Sequence, residues 1–172
     1  AALGRGRGFE HRRVEVAKVG RFGGKPAPEL DGFALALGDV AGELLYPALH
    51  RFGFASQSEP LGADLWANPA MQLSNCRITN AVRCLPPANK PTTAEIRQCN
   101  GHLKAELAAM PRLKVIVALG AIAHQALLWA YGLKLKEFTF GHNVSHALPD
   151  GRLLVDSYHC SGYNWRTGRL SR

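Results

Sequence analysis

Two apolar runs constrain this chain more than anything else in it. LKVIVALG (113–120) and RLLVD (152–156) are short, rich in Val, Ile and Leu, and do not alternate apolar with polar. A strand with one wet face alternates, because successive side chains point to opposite faces. A continuous run of this length is the signature of a strand covered on both sides, as in a parallel sheet between helices. CRITNAVRC (76–84) reads as a third, shorter buried strand.

Helical patterns separate the runs. DVAGELLYPALHRFGF (39–54) places Leu44, Leu45, Ala48, Leu49 and Phe52 at helical spacing, with Asp39 at an N-cap and Gly53 at a stop. Residues 55–74 read as a loop holding Pro60, Gly62 and Pro69. TTAEIRQCNGHLKAELAAM (92–110) opens with Thr92 or Thr93 as cap; Glu95 stands three residues after Thr92, the spacing of a capping box, and Pro111 ends the helix. AIAHQALLWAYGL (121–133) predicts another helix, and KEFTFGHNVSHALPDG (136–151) a loop with a short extended piece. Alternating helices and covered strands imply a layered α/β domain. In such sheets ligands bind at the carboxyl ends of the strands. NAVRCLPPANKP (80–91) and SYHCSGYN (157–164) both follow strands, so two polar loops meet at one edge and define a site.

The 172 residues, 47% of them hydrophobic, suit one compact core. No run reaches the roughly 20 apolar residues of a membrane helix, and no apolar leader opens the chain, so a soluble cytoplasmic protein is expected. The net charge of +8 points to a polyanionic partner, nucleic acid first. Most of that charge lies early: residues 1–28 hold seven Lys/Arg and two Glu, a balance of +5, and a mildly basic solvated surface accounts for the rest equally well. Residues 1 to about 30 show poor apolar periodicity and read as a basic arm or disordered segment; GRGRG follows no strand and is a poor phosphate loop. The four cysteines, Cys76, Cys84, Cys99 and Cys160, form no CxxC pair.

Four stretches together resemble a known family. They are GDVAGELLYPALHRFGF, CRITNAVRCLPPANKPTTAEIRQC, LKVIVALGAIAHQALL and DSYHCSGYNWRTGRLSR, supported by FTFGHNVSH. The family is the iron–sulphur uracil-DNA glycosylases of bacteria and archaea, in their B-type branch (family 5), and the likeness runs from about Gly38 to Arg172. It implies a three-layer α/β/α sandwich around a parallel four-stranded sheet. It implies an enzyme that flips uracil, or a related deaminated base, out of DNA and hydrolyses its bond to deoxyribose, acting as a monomer on single- or double-stranded DNA. By resemblance Asp39 holds the attacking water, Asn89 helps place that water or the base, and His159 supports the departing base. Asn80 reads the uracil edge, Ser161, Tyr163 and Asn164 belong to the segment that enters the duplex, and Cys84 and Cys99 match two of the four ligands of a 4Fe-4S cluster.

Plainer readings stand beside these. Asp39 serves equally as a helix cap, His159 as a strand-end histidine, and Asn89, between prolines, as a turn residue. His142 and His146, four apart, would suggest a metal, but no carboxylate pattern accompanies them in the loop, which favours a structural role. Cys160 beside His159 does not make a dyad if strand neighbours point apart. Cys76 and Cys160 read as small core residues.

The pattern also differs from the family at the front. There is no CxxC to complete the cluster, and DGFALALGD stands where the family has a GLAPG-like loop, with only Gly38 and Asp39 agreeing. Phe33 lies three positions too far back to be the base-stacking residue. The chain is therefore divided into an atypical basic segment, 1–37, without a counterpart of the family's first strand, and a glycosylase-like domain, 38–172. The second functional reading is a non-enzymatic module that binds nucleic acid through the basic arm and the Asn164 segment.

Overall fold

The computed structural model describes residues 13–18, 40–58, 72–83 and 90–170, with side chains from residue 44 onward. Asp39, Cys84 and Asn89 lie outside the described residues. The elements run β1 (Arg13–Lys18), α1 (Val40–Arg51), β2 (Cys76–Asn80), α2 (Thr93–Ala108), β3 (Leu113–Leu119), α3 (Ala121–Ala130), β4 (Ser145–Ala147), β5 (Leu153–Ser157) and α4 (Gly162–Arg166).

The strands form a five-stranded sheet in the order β2-β1-β3-β5-β4. β2, β1, β3 and β5 are parallel. The short β4 adds an antiparallel edge beside β5. Two features differ from the sequence reading. Arg13–Lys18, expected in a basic arm, is a strand between β2 and β3, so the sheet does have a strand from the first 37 residues. RVEV alternates with period two, but the three charged residues of RVEVAK disguise the strand where a continuous apolar run was sought. β4 is antiparallel because a tight turn joins it to β5: Gly151 N–H donates to the Leu148 carbonyl at 3.0 Å and Leu148 N–H to that of Arg152 at 2.9 Å. So short a connection permits no crossover.

β3 shows why its run is apolar throughout. Ile116 and Ala118 belong to a core with α2 and α3, which supply Ile96, Cys99, Leu103, Ala126 and Leu127. Val117 and Leu119 pack instead with Leu45, Tyr46 and Leu49 of α1. The alternation places the two cores on opposite faces, so helices cover the sheet on both sides. The Tyr46 hydroxyl is buried, and burial raises its pKa well above the ordinary tyrosine value.

Local chemistry sets the helix ends. Gly53, at φ +76°, closes α1, with Phe54 N–H reaching back to Leu49 O and Gly53 N–H to His50 O. This is the wrap that glycine permits without steric cost. Phe52, placed on the apolar stripe by its spacing, is 70% exposed because the helix ends at Arg51. α2 carries the expected capping box, Thr92 with Glu95. At its other end Arg152 donates to the Leu107 and Met110 carbonyls at 3.1 and 3.0 Å, tying the β4–β5 turn to the helix terminus.

Candidate functional site

The strand register sets out the site. Lys18 pairs with Asn80 on one side and with Leu119 on the other, and Leu119 pairs with Ser157. Asn80, Lys18, Leu119 and Ser157 therefore form one row across the carboxyl edge of the four parallel strands. The two polar segments singled out in the sequence leave from the two ends of this row.

Asn80 ends β2, half-buried, and its side-chain Oδ1 is buried without a hydrogen-bond partner among the described residues. A buried acceptor left open costs about 1–3 kcal/mol, so an amide held this way is a ready contact for a donor brought by a ligand. The strand is anchored beneath it. Glu106 of α2 accepts from Thr79 Oγ1 at 2.6 Å and from Arg77 at 2.7 Å, and pairs with Arg83 at 2.7 Å. One carboxylate thus secures β2 and the start of the segment that leads to Cys84 and Asn89.

At the other end the chain leaves β5 through Ser157, Tyr158 and His159. His142 holds this exit: its Nδ1 accepts from Tyr158 N–H at 3.3 Å, lies 3.3 Å from Ser157 Oγ, and its ring stacks on Tyr158 at 5.0 Å. Gly120 N–H donates to the Ser157 carbonyl at 2.8 Å. Gly120 itself has φ +98°, and a side chain there would meet the His159 Cβ at 3.4 Å. The glycine both makes the turn into α3 and lets His159 settle over the end of β3. His159 therefore lies beside the end of β3, which only β1 separates from β2 and Asn80 in the sheet.

Beyond His159, the segment expected to be a loop is a short helix. Ser161 caps α4, accepting from Asn164 N–H at 3.4 Å. The Asn164 amide turns back to donate to the His159 carbonyl at 2.8 Å, and its own carbonyl accepts from Arg169 and Leu170 N–H. Tyr163 projects, 60% exposed, with the Arg169 guanidinium 5.7 Å from its ring centre. Of the sequence candidates, His159, Ser161, Tyr163 and Asn164 are close in the chain here, Asn80 lies at the far end of the row, and Asp39 and Asn89 lie outside the described residues.

The three described cysteines fall in two different cores. Cys99 of α2 is buried in the core with Leu103 and Leu127, whereas Cys76 and Cys160 pack against the α1 core on the other face. Among the described residues no set of three metal-ligating side chains includes a cysteine, and Cys84 lies outside them. A cubane cluster wants four thiolates; the described cysteines, divided between two faces of a sheet, do not fit one.

A sheet of four parallel strands with one antiparallel edge, covered by helices on both faces, with an amide and a histidine at the carboxyl edge and a short helix carrying an exposed tyrosine beside them, defines the class: a layered α/β domain. Its family follows from comparison with known proteins. The family model "Uracil DNA glycosylase superfamily" matches residues 6–172, and the chain belongs to that superfamily. It is similar to the type-5 uracil-DNA glycosylase of Thermus thermophilus, 44% identical over 135 residues, which are 78% of this chain and 59% of that protein. The type-5 enzyme of Mycobacterium tuberculosis is 40% identical over 136 residues, 78% and 49% of the two chains. That of Pyrobaculum aerophilum is 34% identical over 134 residues, 78% and 56%. The chain thus spans 49–59% of the length of these relatives.

Proposed function

We propose that this chain acts as a DNA repair glycosylase of the type-5 kind, removing uracil or a related deaminated base from DNA. The observation that carries the reading is the row at the carboxyl edge, with the open Asn80 acceptor at one end and His159 over Gly120 toward the other. A base stacked in a duplex is out of reach, so it must be flipped into a pocket. Uracil presents an N3–H donor beside an O4 acceptor. The Asn80 amide complements that pair, Oδ1 accepting from N3–H and Nδ2 donating to O4, while cytosine at the same edge offers the reverse.

Hydrolysis breaks the bond between uracil N1 and C1′ of the sugar, and water adds to C1′. The bonding pair leaves with the base, which becomes an anion, while the sugar becomes cation-like. A donor at His159 near O2 stabilises that anion. Asp39, from its place in the resemblance, takes the water's proton and balances the sugar's charge, with Asn89 orienting the water. No step is assigned to an iron–sulphur cluster, since the described cysteines do not fit one. Tyr163 is the residue of α4 suited to enter the duplex, and the chain works on DNA as a monomer in the cytoplasm. No helix among the described residues is long and apolar enough to cross a membrane.

The test is single-turnover excision from uracil-containing oligonucleotides. His159→Ala should slow excision on the order of 10²–10³ while DNA affinity stays within a few-fold, because the lost contact forms mainly in the transition state. An unchanged rate would remove His159 from the chemistry.

A further inference from the structure

The fold brings together three side chains that the glycosylase reading does not use. Asp156 of β5 is wholly buried and His124 of α3 is 3% exposed. His124 Nδ1 lies 2.9 Å from Asp156 Oδ1, and His146 Nε2, on β4, lies 3.2 Å from Oδ2. The three ligand atoms fall within 4.8 Å of one another. In the sequence, His146 lacked a carboxylate; the sheet supplies one ten residues later and α3 adds a second imidazole.

We propose that His124, His146 and Asp156 form a structural binding site for a divalent cation of the zinc type. Three observations support it. First, the donors are chemically right: two imidazole nitrogens and one carboxylate suit zinc and its neighbours. Second, the spacing is right. Bonds of about 2.0–2.1 Å in a tetrahedron set ligand atoms about 3.3 Å apart; the two pairs to Asp156 are 2.9 and 3.2 Å, and all three atoms lie within 4.8 Å, so a small shift of one imidazole closes the set around an ion. Third, His124 is oriented as a metal ligand is. Its Nε2 lies 3.0 Å from the Phe138 carbonyl. Donation there spends the Nε2 proton and turns Nδ1 toward the carboxylate, the outer hydrogen bond that usually fixes a ligating histidine. In that tautomer Nδ1 and the carboxylate are both acceptors in a dry site, and a cation between them satisfies both.

The surroundings fit a structural rather than a catalytic ion. Phe140 packs edge-on against His124 at 5.6 Å, and Phe138 against His146 at 5.6 Å, so aromatic rings wall the site off. The His146 side chain, 14% exposed, is the route by which an ion enters. The cation would clip α3, β4 and β5 together immediately before Ser157 and His159.

The experiment uses the full chain, stripped with a chelator and titrated with Zn²⁺ against a chromophoric competitor, with Co²⁺ absorbance reporting geometry. One equivalent of zinc should bind, giving a tetrahedral cobalt spectrum. At a hundredfold excess over Kd it should raise Tm by about 5–10 °C. His146→Ala and Asp156→Asn should each weaken binding by on the order of 100-fold or more. The Cys76→Ser/Cys160→Ser double variant and His102→Ala should bind as the wild type does. His146→Ala lies on the edge strand and keeps the test open if Asp156→Asn does not fold. Failure of the wild type to bind zinc, or equal binding by His146→Ala, would leave shared protons as the bridge and overturn the proposal. None of these readouts depends on base excision.

Discussion

Asn164 and Tyr163 are neighbours with divergent tasks. Asn164 is spent on the His159 carbonyl and on closing the turn after α4, so its loss loosens His159 whatever the substrate. Asn164→Ala should slow excision on single- and double-stranded DNA alike. Tyr163 is 60% exposed, with the Arg169 guanidinium beside its ring. Tyr163→Ala should cut duplex excision on the order of tenfold, the scale of an aromatic–base stack, and spare single strands, where no partner must be displaced. Single-turnover rates on matched substrates check both, and equal losses for Tyr163→Ala would end its role in the duplex. Thr92 offers a purely structural test. Thr92→Ala removes the α2 cap and should cost about 1 kcal/mol in urea unfolding at neutral pH. The hydrogen bonds from Thr92 hold the Glu95 carboxyl below its ordinary pKa. A depressed folded pKa means stability that is present above the ordinary carboxylate range and lost as pH falls through the folded value. The difference between wild type and Thr92→Ala should therefore shrink in acid.

Two charged residues decide how elements meet. Glu106 joins α2 to β2 through Thr79, Arg77 and Arg83. Glu106→Ala would leave those donors facing one another and should destabilise by about 2 kcal/mol, lowering the urea midpoint. Because Asn80 ends the same strand, it should also weaken substrate binding more than Glu106→Gln does. Arg152 joins the β4–β5 turn to the α2 terminus, contacting the Leu107 and Met110 carbonyls, Asp150 and the Tyr131 hydroxyl. α2 has no basic residue in its own last turn, so Arg152 supplies the charge from elsewhere in the chain. Burial, with the Asp150 hydrogen bond, pushes the Tyr131 hydroxyl up to about 12. Arg152→Ala should cost about 2–3 kcal/mol, the worth of bonds to a charged donor; calorimetry reads it directly.

For the molecule as a whole, the critical strand is β1. It pairs with β2 on one side and β3 on the other, so the sheet divides without it. Val16→Pro removes a ladder donor in the middle of a central strand and should cost about 3 kcal/mol or more. Thermal melts should show loss of a single cooperative transition. An unchanged melt would return residues 1–37 to the status of an arm. The cysteine arrangement makes a second global prediction. Anaerobically purified chain should contain far less than a full cluster's iron and sulphide; a stoichiometric content would require Cys76, Cys99 and Cys160 to leave their cores and join Cys84.

Periodicity alone was enough for β3, β5, α2 and α3, because each has a pattern imposed by burial on known faces, and for the capping box, whose chemistry is local. It also brought Asn80 and His159 to one edge, since strand ends in a parallel sheet point the same way. It failed at β1, where charged residues interrupt the run: a strand held by backbone pairing on both sides can carry side chains that mimic an arm. It failed at Asp156, read as one more residue of a covered strand, although a carboxylate in such a strand needs partners when buried. Those partners come from 32 residues before it and 10 before it. No local pattern encodes that meeting. It exists because α3 packs on the face of β5 that carries Asp156, while the turn after Ala147 folds β4 back against the same strand.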